Sequence, residues 1–254
     1  MRLRILLLGA LLSVSATTSF ASIITNGTFS IAGTIFVTSA GGVTTPAGVC
    51  PVGISCIFFQ DTGSPAQNGK IDVSPLALPS GDIPLAIAGN DAGNIQSLFN
   101  PPDTPPGFPA VNFISFNNAG ITTVLRLNSF PLGINGPGQC AATPPAAGQV
   151  CSIPGSPFNL QNLTANSSTA TFTMGGITND SSSTWTGIFA SQFNTIPYQT
   201  VLAELGTNGF VSNTFSGQIT LVAPTNTPEP GTMPFLLLGA GMIGCATFLR
   251  RLRA

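Results

Sequence analysis

The sequence contains no histidine, which removes the ordinary Ser-His-Asp and Cys-His arrangements for nucleophilic catalysis. Between Ser22 and Thr227 it also lacks a GxSxG elbow, a phosphate-binding loop and a paired-glycine nucleotide fingerprint. A glycosidase needs two carboxylates about 5–10 Å apart, and the scattered spacing of Asp72, Asp82 and Asp91 gives no support for such a pair. The sequence therefore predicts a protein that is not an enzyme and that uses no cofactor.

Charge is also scarce, since only 6% of residues are charged, against about 25% in an ordinary soluble domain. Between Ser22 and Thr227, seven acidic side chains face two basic ones, Lys70 and Arg126, which gives a net charge of −5. Two isolated bases give nucleic-acid binding no electrostatic support. Uncharged polar residues suit a surface exposed to variable salt or acid. They suit equally an adhesive or self-associating matrix protein, and composition leaves both readings open.

The N-terminus has the features of an export signal. Two arginines near Met1 are followed by an apolar run over residues 5–14, and small residues then lead to Ala21. Basic residues, a short apolar run and a small-x-small site are typical of a secretory signal peptide. The alternative, a buried N-terminal strand or helix, leaves the arginines unexplained. We expect signal peptidase to cleave between Ala21 and Ser22.

The C-terminus has the features of a membrane-spanning segment. Residues 234–249 carry no charge, and as a helix they would extend about 24 Å, slightly less than a hydrocarbon core of about 30 Å. Arg250, Arg251 and Arg253 follow, and the positive-inside rule places them in the cytoplasm with the body of the chain outside. A GPI signal would end in apolar residues, so the simplest alternative is a plain membrane anchor.

The residues just before this run are unusual for a plain anchor. Pro228, Glu229 and Pro230 precede a Gly-rich apolar span and a terminal arginine cluster. This order resembles the PEP-CTERM sorting signal of Gram-negative bacteria over about residues 226–254. The resemblance implies that an exosortase-type membrane protease cleaves near Pro-Glu-Pro and releases the protein toward the cell surface or an extracellular polysaccharide. Such tails also carry the label "ice-binding protein C-terminal", although this tail offers no ice-binding surface.

Both ends together define the expected domain organisation. It is a signal peptide over 1–21, an ectodomain over 22–223, a Pro-rich linker over 224–233, a transmembrane helix over 234–249 and a cytoplasmic tail over 250–254. The ectodomain is long enough to bury a sizeable core. Frequent phenylalanine, valine and isoleucine argue against disorder, despite the abundant glycine and proline.

Four cysteines lie in the ectodomain, and an even number in an exported chain indicates disulfides. Of the three possible connectivities, we favour the local pairs Cys50–Cys56 and Cys140–Cys151, each of which flanks a Pro-containing loop. A four-thiolate metal site is the alternative. The spacings are not zinc-like and there is no histidine.

Alternation of apolar and polar residues marks the strands. Phe29, Ile31 and Ile35 share one face of an early strand, with Gly33 at a candidate bulge, and Trp185 and Phe189 share a face of a later one. The one helical stretch, Pro197 to Leu205, ends at Gly206 and should form two turns at most. We predict an antiparallel β-sandwich of about 8 to 11 strands. The absence of a fixed-period repeat argues against a β-solenoid.

Three further features have a structural and a functional reading. Asn90, Asp91 and Asn94 could supply oxygen ligands to calcium, although a turn stabilised by Asx side chains explains them as well. Carbohydrate stacking would require exposed Trp or Tyr, whereas Trp185 lies on an apolar face. Asn-x-Ser/Thr sequons that permit glycosylation occur at four positions: Asn26, Asn162, Asn166 and Asn179. An exported surface or matrix protein is the first hypothesis, and a module that binds polysaccharide or ice is the second.

Overall fold

The fold is defined by a computed structural model, which describes residues 26–39, 42–74, 80–81, 89–99, 111–118 and 121–223. The predicted signal peptide, Pro-rich linker, transmembrane helix and cytoplasmic tail lie outside these residues. Among the described residues, no helix has the length and apolar character needed to cross a membrane.

The described part of the chain contains fifteen strands and one helix. Their bounds in chain order are β1 Gly27–Thr38, β2 Thr44–Thr45, β3 Gly48–Val49, β4 Cys56–Gln60, β5 Lys70–Ser74, β6 Ser80–Gly81, β7 Gly89–Ile95, β8 Leu98–Phe99, β9 Val111–Asn118, β10 Ile121–Ser129, β11 Val150–Cys151, β12 Asn159–Thr164, β13 Ser167–Thr178, β14 Thr184–Phe193, α1 Tyr198–Asn208 and β15 Phe210–Val222.

Eight strands form a closed barrel. They pair in the order β10-β9-β7-β5-β1-β15-β14-β13, and β10 then pairs antiparallel with the second half of β13, from Leu125 opposite Thr178 to Ser129 opposite Gly175. The predicted β-sandwich is therefore wrong. Alternation defines an inner and an outer face, and a barrel uses these faces as a sandwich does. The distinction depends on one long-range pairing, that of β10 with β13, which the alternation of apolar and polar residues does not encode.

The inner faces of the barrel strands carry the residues that the alternation predicts. Phe29, Ile31 and Ile35 of β1 are buried in the main core, together with Trp185 and Phe189 of β14. Burial of each such side chain stabilises the fold by about 1.5–3 kcal/mol. The barrel interior is thus a packed hydrophobic core over most of its length.

Aromatic rings in this core pack against one another across strands. Phe172 and Phe189 stack at 4.9 Å between centroids, and Phe113 stacks on Trp185 at 6.2 Å. Phe59 meets Phe215 edge-on at 5.6 Å. Such pairs contribute roughly 0.5–1.5 kcal/mol beyond area burial, so they help to select this strand arrangement.

Gly33 does not form the predicted bulge. β1 pairs in unbroken register with β15, with Gly33 opposite Phe215. On its other edge β1 pairs with β5 up to Ala32 and with β4 from Thr34 onward. A Cβ at Gly33 would lie 2.5 Å from the carbonyl oxygen of Gln60, so glycine is needed where β1 changes its partner.

Helix α1 covers one end of the barrel. Pro197 is its N-cap, and Gly209 ends it in the left-handed conformation with φ 77°, its N–H donating to the Leu205 carbonyl at 3.0 Å. The helix has 11 residues and is longer than the predicted two turns. The predicted stop at Gly206 lies inside it, because the residue that adopts the left-handed cap is Gly209.

The two ends of the barrel differ. At the capped end β1 finishes and β15 begins, with Thr38 opposite Phe210; at the other end Gly27 lies opposite Leu221. There the Asn26 side chain accepts a hydrogen bond from the Ala223 N–H at 2.9 Å. Both described chain ends therefore emerge together, opposite the helical cap. The register of β1 and β15 separates the two ends by about 35 Å along the strand.

Candidate functional site

The sorting residues predicted from the sequence lie outside the described residues. They are the cleavage site Ala21 and Ser22, the motif Pro228, Glu229 and Pro230, and the cytoplasmic arginines Arg250, Arg251 and Arg253. The described residues show how the body of the protein is built.

The two disulfides predicted from the sequence are present. Cys50 is bonded to Cys56 and Cys140 to Cys151. The first lies beside Phe36 and Phe58 in a small cluster on the outer face of β1 and β4. The second lies in the cluster beneath α1. Both bridges fix irregular segments to the barrel wall.

The acidic side chains with described contacts hold loops. Asp61 is buried and accepts hydrogen bonds from the backbone of Gly63 at 3.3 Å and Gln67 at 2.6 Å. Asp72 accepts from the backbone and the hydroxyl of Thr62. Asp180 accepts from the N–H of Ser182 at 3.0 Å. The bonds of Asp61 and Asp180 are those of turn-stabilising aspartates, whereas Asp72 of β5 ties the loop at Thr62 to the sheet.

The candidate calcium residues lie on a strand and not in the predicted turn. Residues 89–95 form β7, and the Asn94 side chain accepts a hydrogen bond from the Lys70 ammonium at 2.7 Å. The Lys70 side chain thus already occupies the oxygen of one of the proposed calcium ligands. Among the described residues, no group of three or more His, Cys, Asp or Glu side chains could hold a metal ion.

The single tryptophan and the single tyrosine are both buried. Trp185 donates its indole N–H to the Arg126 carbonyl at 3.0 Å, and Tyr198 donates its hydroxyl to the Gln139 carbonyl at 2.7 Å. Neither ring is available as a stacking platform for sugars. The core role predicted for Trp185 is confirmed by its 2% exposure.

The four sequons differ in exposure. Asn26, Asn166 and Asn179 are exposed, whereas Asn162 is fully buried. The Asn162 side chain accepts from the Tyr198 N–H at 2.9 Å and donates to Gln199 at 2.9 Å. Asn162 thus anchors α1 and has no room for a glycan.

A cavity of about 510 Å³ lies at the capped end of the barrel, and we call it the end cavity. Its wall comes from the end of β1, the start of β4, the loop over residues 153–158, strands β12 to β15 and helix α1. Apolar side chains dominate the lining, among them Ile35, Phe158, Phe172, Leu202 and Val211. Sequence analysis did not find this site, because its walls come from segments far apart in the chain.

Polar groups of the end cavity are mostly satisfied within the protein. The Ser191 hydroxyl donates to the Thr214 carbonyl at 2.8 Å, and the Ser39 hydroxyl to the Gly209 carbonyl at 3.1 Å. Thr38 accepts from the Cys56 N–H at 2.9 Å. The Asn213 amide donates to the Gln192 carbonyl at 2.7 Å. The cavity surface is therefore apolar in effect, and apolar cavities do not hold water well.

Burial raises the pKa of the Tyr198 phenol above its ordinary value, because the ionised form would lose its hydration. In the unfolded chain the phenol ionises near pH 10. We expect the free energy of unfolding to be unaffected by this group below about pH 10 and to fall as the pH rises above it. Phenolate absorbance reports the ionisation directly, since Tyr198 is the only tyrosine.

Tyr198→Phe is the control for this titration. It should lower stability by about 1 kcal/mol through the lost hydrogen bond, and it should remove the contribution of this group to the alkaline decline. Ionisation of native Tyr198 at or below pH 10 would contradict the buried placement of the phenol.

Comparison with known proteins bears on the tail of the chain. No curated protein and no solved structure matches this chain. A family model described as the PEP-CTERM protein-sorting motif matches residues 226–253, beginning three residues after the last described one, Ala223. The motif implies an exported protein that an exosortase processes at the membrane. The chain therefore carries a PEP-CTERM protein-sorting motif at its C-terminal end.

Proposed function

We propose that this protein is a non-enzymatic component of the cell surface or the extracellular polysaccharide matrix. Signal peptidase removes residues 1–21, the tail tethers the barrel outside the inner membrane, and cleavage near Pro228–Pro230 releases it. The observation that carries the proposal is the sorting motif at residues 226–253. The barrel adds support, because β15 ends at Val222 and leads directly into the linker.

A role without catalysis is supported by the chemistry of the barrel. The chain has no histidine, and the carboxyl groups of Asp61, Asp72 and Asp180 are engaged in loop hydrogen bonds. Catalytic carboxylates would instead face a substrate cleft within reach of the reacting atoms. These aspartates fit a structural role.

The outer face of β1, β13, β14 and β15 supports contact with a neutral matrix. Thr186 of β14 lies opposite Thr220 of β15, which in turn lies opposite Thr28 of β1. Lys, Arg, Asp and Glu are absent from all four of these strands. Such a surface meets a polysaccharide through hydroxyl hydrogen bonds and without charge repulsion.

Thr28, Thr220 and Thr186 form a row across this outer face, which we call the threonine row. The row also favours the second candidate, a module that binds polysaccharide or ice directly. The row follows a curved barrel wall, and neither Trp185 nor Tyr198 is exposed to supply a stacking surface. Specific binding would therefore depend on hydroxyl groups alone. This candidate predicts that the released protein stays with polysaccharide when the extracellular fraction is washed.

The test of sorting is a triple substitution in the native host, Pro228→Ala, Glu229→Ala and Pro230→Ala. We expect the wild-type protein outside the cell and the triple variant retained in the membrane, because an exosortase would no longer recognise the tail. A matched control, Pro224→Ala with Thr225→Ala, changes the same linker outside the matched residues and should leave release intact. Equal release of the triple variant would overturn the proposal.

A further inference from the structure

We propose that the end cavity is a binding site for one uncharged aliphatic molecule, such as a long-chain alcohol or a neutral acyl lipid. The site is independent of the sorting function. It would make the released protein a carrier or a receptor for an apolar compound outside the cell.

The size and composition of the end cavity fit such a ligand. Its volume of about 510 Å³ falls within the range of roughly 300–1,000 Å³ that ligand pockets occupy. Most of the main core is closely packed, whereas at this end Phe158, Leu202 and Val211 face open space. The interior of an eight-stranded barrel is just wide enough to be filled by side chains or to hold one small ligand. In this barrel, side chains fill the interior except at the capped end.

The charge of the wall selects against ions. None of the described residues that line the end cavity is Asp, Glu, Lys or Arg. The two basic residues of the barrel lie elsewhere, with Lys70 bonded to Asn94 and Arg126 beside Trp185. A carboxylate entering the cavity would lose hydration without gaining a cationic partner. The cavity should therefore prefer an alcohol to the fatty acid of equal chain length.

The hydrogen-bond pattern of the wall supports an apolar occupant. The side chains of Thr38, Ser39, Ser191 and Asn213 form hydrogen bonds with other parts of the protein. Water in the cavity would find few partners. The exposed Ser212 also lines the cavity, where its hydroxyl could bond the polar head of a neutral ligand while the aliphatic chain lies inside.

The position of the end cavity keeps it accessible before and after release. It lies where β1 ends and β15 begins, whereas the described chain termini meet at the opposite end of the barrel. A precursor tethered by its tail would therefore hold the termini near the membrane and the cavity away from it. Ligand binding does not depend on whether the tail is cleaved.

The test is fluorescence titration of the purified protein with N-phenyl-1-naphthylamine, an uncharged dye that brightens in apolar surroundings. We expect saturable binding of one dye per chain. Dodecanol should displace the dye at about a tenfold lower concentration than dodecanoate, a difference of about 1.4 kcal/mol. Mass spectrometry of an organic extract of protein from the native host would then show whether the natural aliphatic group is a free alcohol or an acyl lipid.

Two variants locate the dye. Ala170→Phe places a large ring in the end cavity and should weaken dye binding at least about tenfold. Leu205→Arg adds a cation at a half-buried lining position of α1 and should shift the preference from dodecanol toward dodecanoate. The second variant keeps the proposal testable if the first fails to fold. Ile188→Ser is the matched control, because Ile188 is 57% exposed on the outer wall and should not affect binding.

Three results would overturn the proposal. The first is the absence of saturable dye binding to the purified protein. The same result would follow if another part of the chain filled the cavity, and it would equally overturn the proposal. The second is binding that survives both cavity variants unchanged. The third is binding that Ile188→Ser abolishes, since the dye would then lie on the outer wall.

Discussion

Replacing Gly176 with alanine is expected to lower the free energy of unfolding by about 3–5 kcal/mol. Gly176 lies on β13 opposite Leu127 of β10, where the barrel closes. A Cβ there would lie 1.7 Å from the carbonyl oxygen of Arg126 and 2.7 Å from the indole nitrogen of Trp185. These two atoms form a hydrogen bond of 3.0 Å. Alanine would force the strands apart and leave the buried indole N–H without its partner. The unpaired indole N–H accounts for about 1–3 kcal/mol of the expected loss.

Urea unfolding followed by Trp185 fluorescence measures this loss, since the chain contains one tryptophan. Gly206→Ala is the control. Gly206 lies inside α1 and a Cβ there would meet nothing within 4 Å, so the control should gain up to about 1 kcal/mol through helix propensity. A Gly176→Ala variant as stable as the wild type would mean that β10 and β13 do not close the barrel.

Removal of the Cys140–Cys151 disulfide by two alanine substitutions is expected to cost about 3 kcal/mol, from the chain entropy of the loop it closes. The segment from residue 131 to 158 contains one two-residue strand, β11, and is otherwise held by this bridge, by turn and loop hydrogen bonds of the backbone and by side-chain contacts. The Gln139 side chain accepts from the Val150 N–H at 2.8 Å, and the Gln139 backbone binds Tyr198. Loss of the bridge should therefore also loosen the attachment of α1.

The matched comparison replaces Cys50 and Cys56 with alanine. Because that disulfide closes a shorter loop, its removal should lower the free energy of unfolding by only about 2 kcal/mol. Alanine is used at both sites because Cys50, Cys56 and Cys151 are fully buried and a serine hydroxyl there would be costly. Urea unfolding of both double variants gives the two values. A loss below about 0.5 kcal/mol for the 140–151 pair would show that its loop is held by other contacts.

The sequence predicts the strand faces well and the closure poorly. Alternation correctly places Phe29, Ile31, Trp185 and Phe189 in the core, because the period of a strand is a local property. Pairing of β10 with β13 is a long-range event. One signal for it was present: two adjacent glycines within β13 mark a close approach of another backbone, here that of Arg126.

The helix and the candidate calcium residues were predicted incompletely for a similar reason. Gly206 and Gly209 are both plausible helix stops, and only the backbone conformation shows that Gly209 is the left-handed one. Asn94 resembles a turn residue in sequence, but pairing with Lys70 in the neighbouring strand β5 places it within the sheet. The end cavity could not be predicted, since it depends on how seven elements and a loop meet in space.

The disulfides and the tail were predictable because their signals are local. Each cysteine pair flanks one short loop, and the order of features in the tail is contained within residues 226–253. Export and sorting therefore follow from the ends of the chain, while the proposed binding of an aliphatic ligand depends on the end cavity. Sorting and ligand binding can be tested separately.

The most direct test of the sorting account is the intact mass of the protein from its native host, measured separately in membrane and extracellular fractions. The account predicts an extracellular chain that begins at Ser22 and ends near Pro230, and additional mass would indicate attached glycans. A chain that retains residues 235–254 and occurs only in the membrane would contradict it, because the tail would then be a permanent anchor.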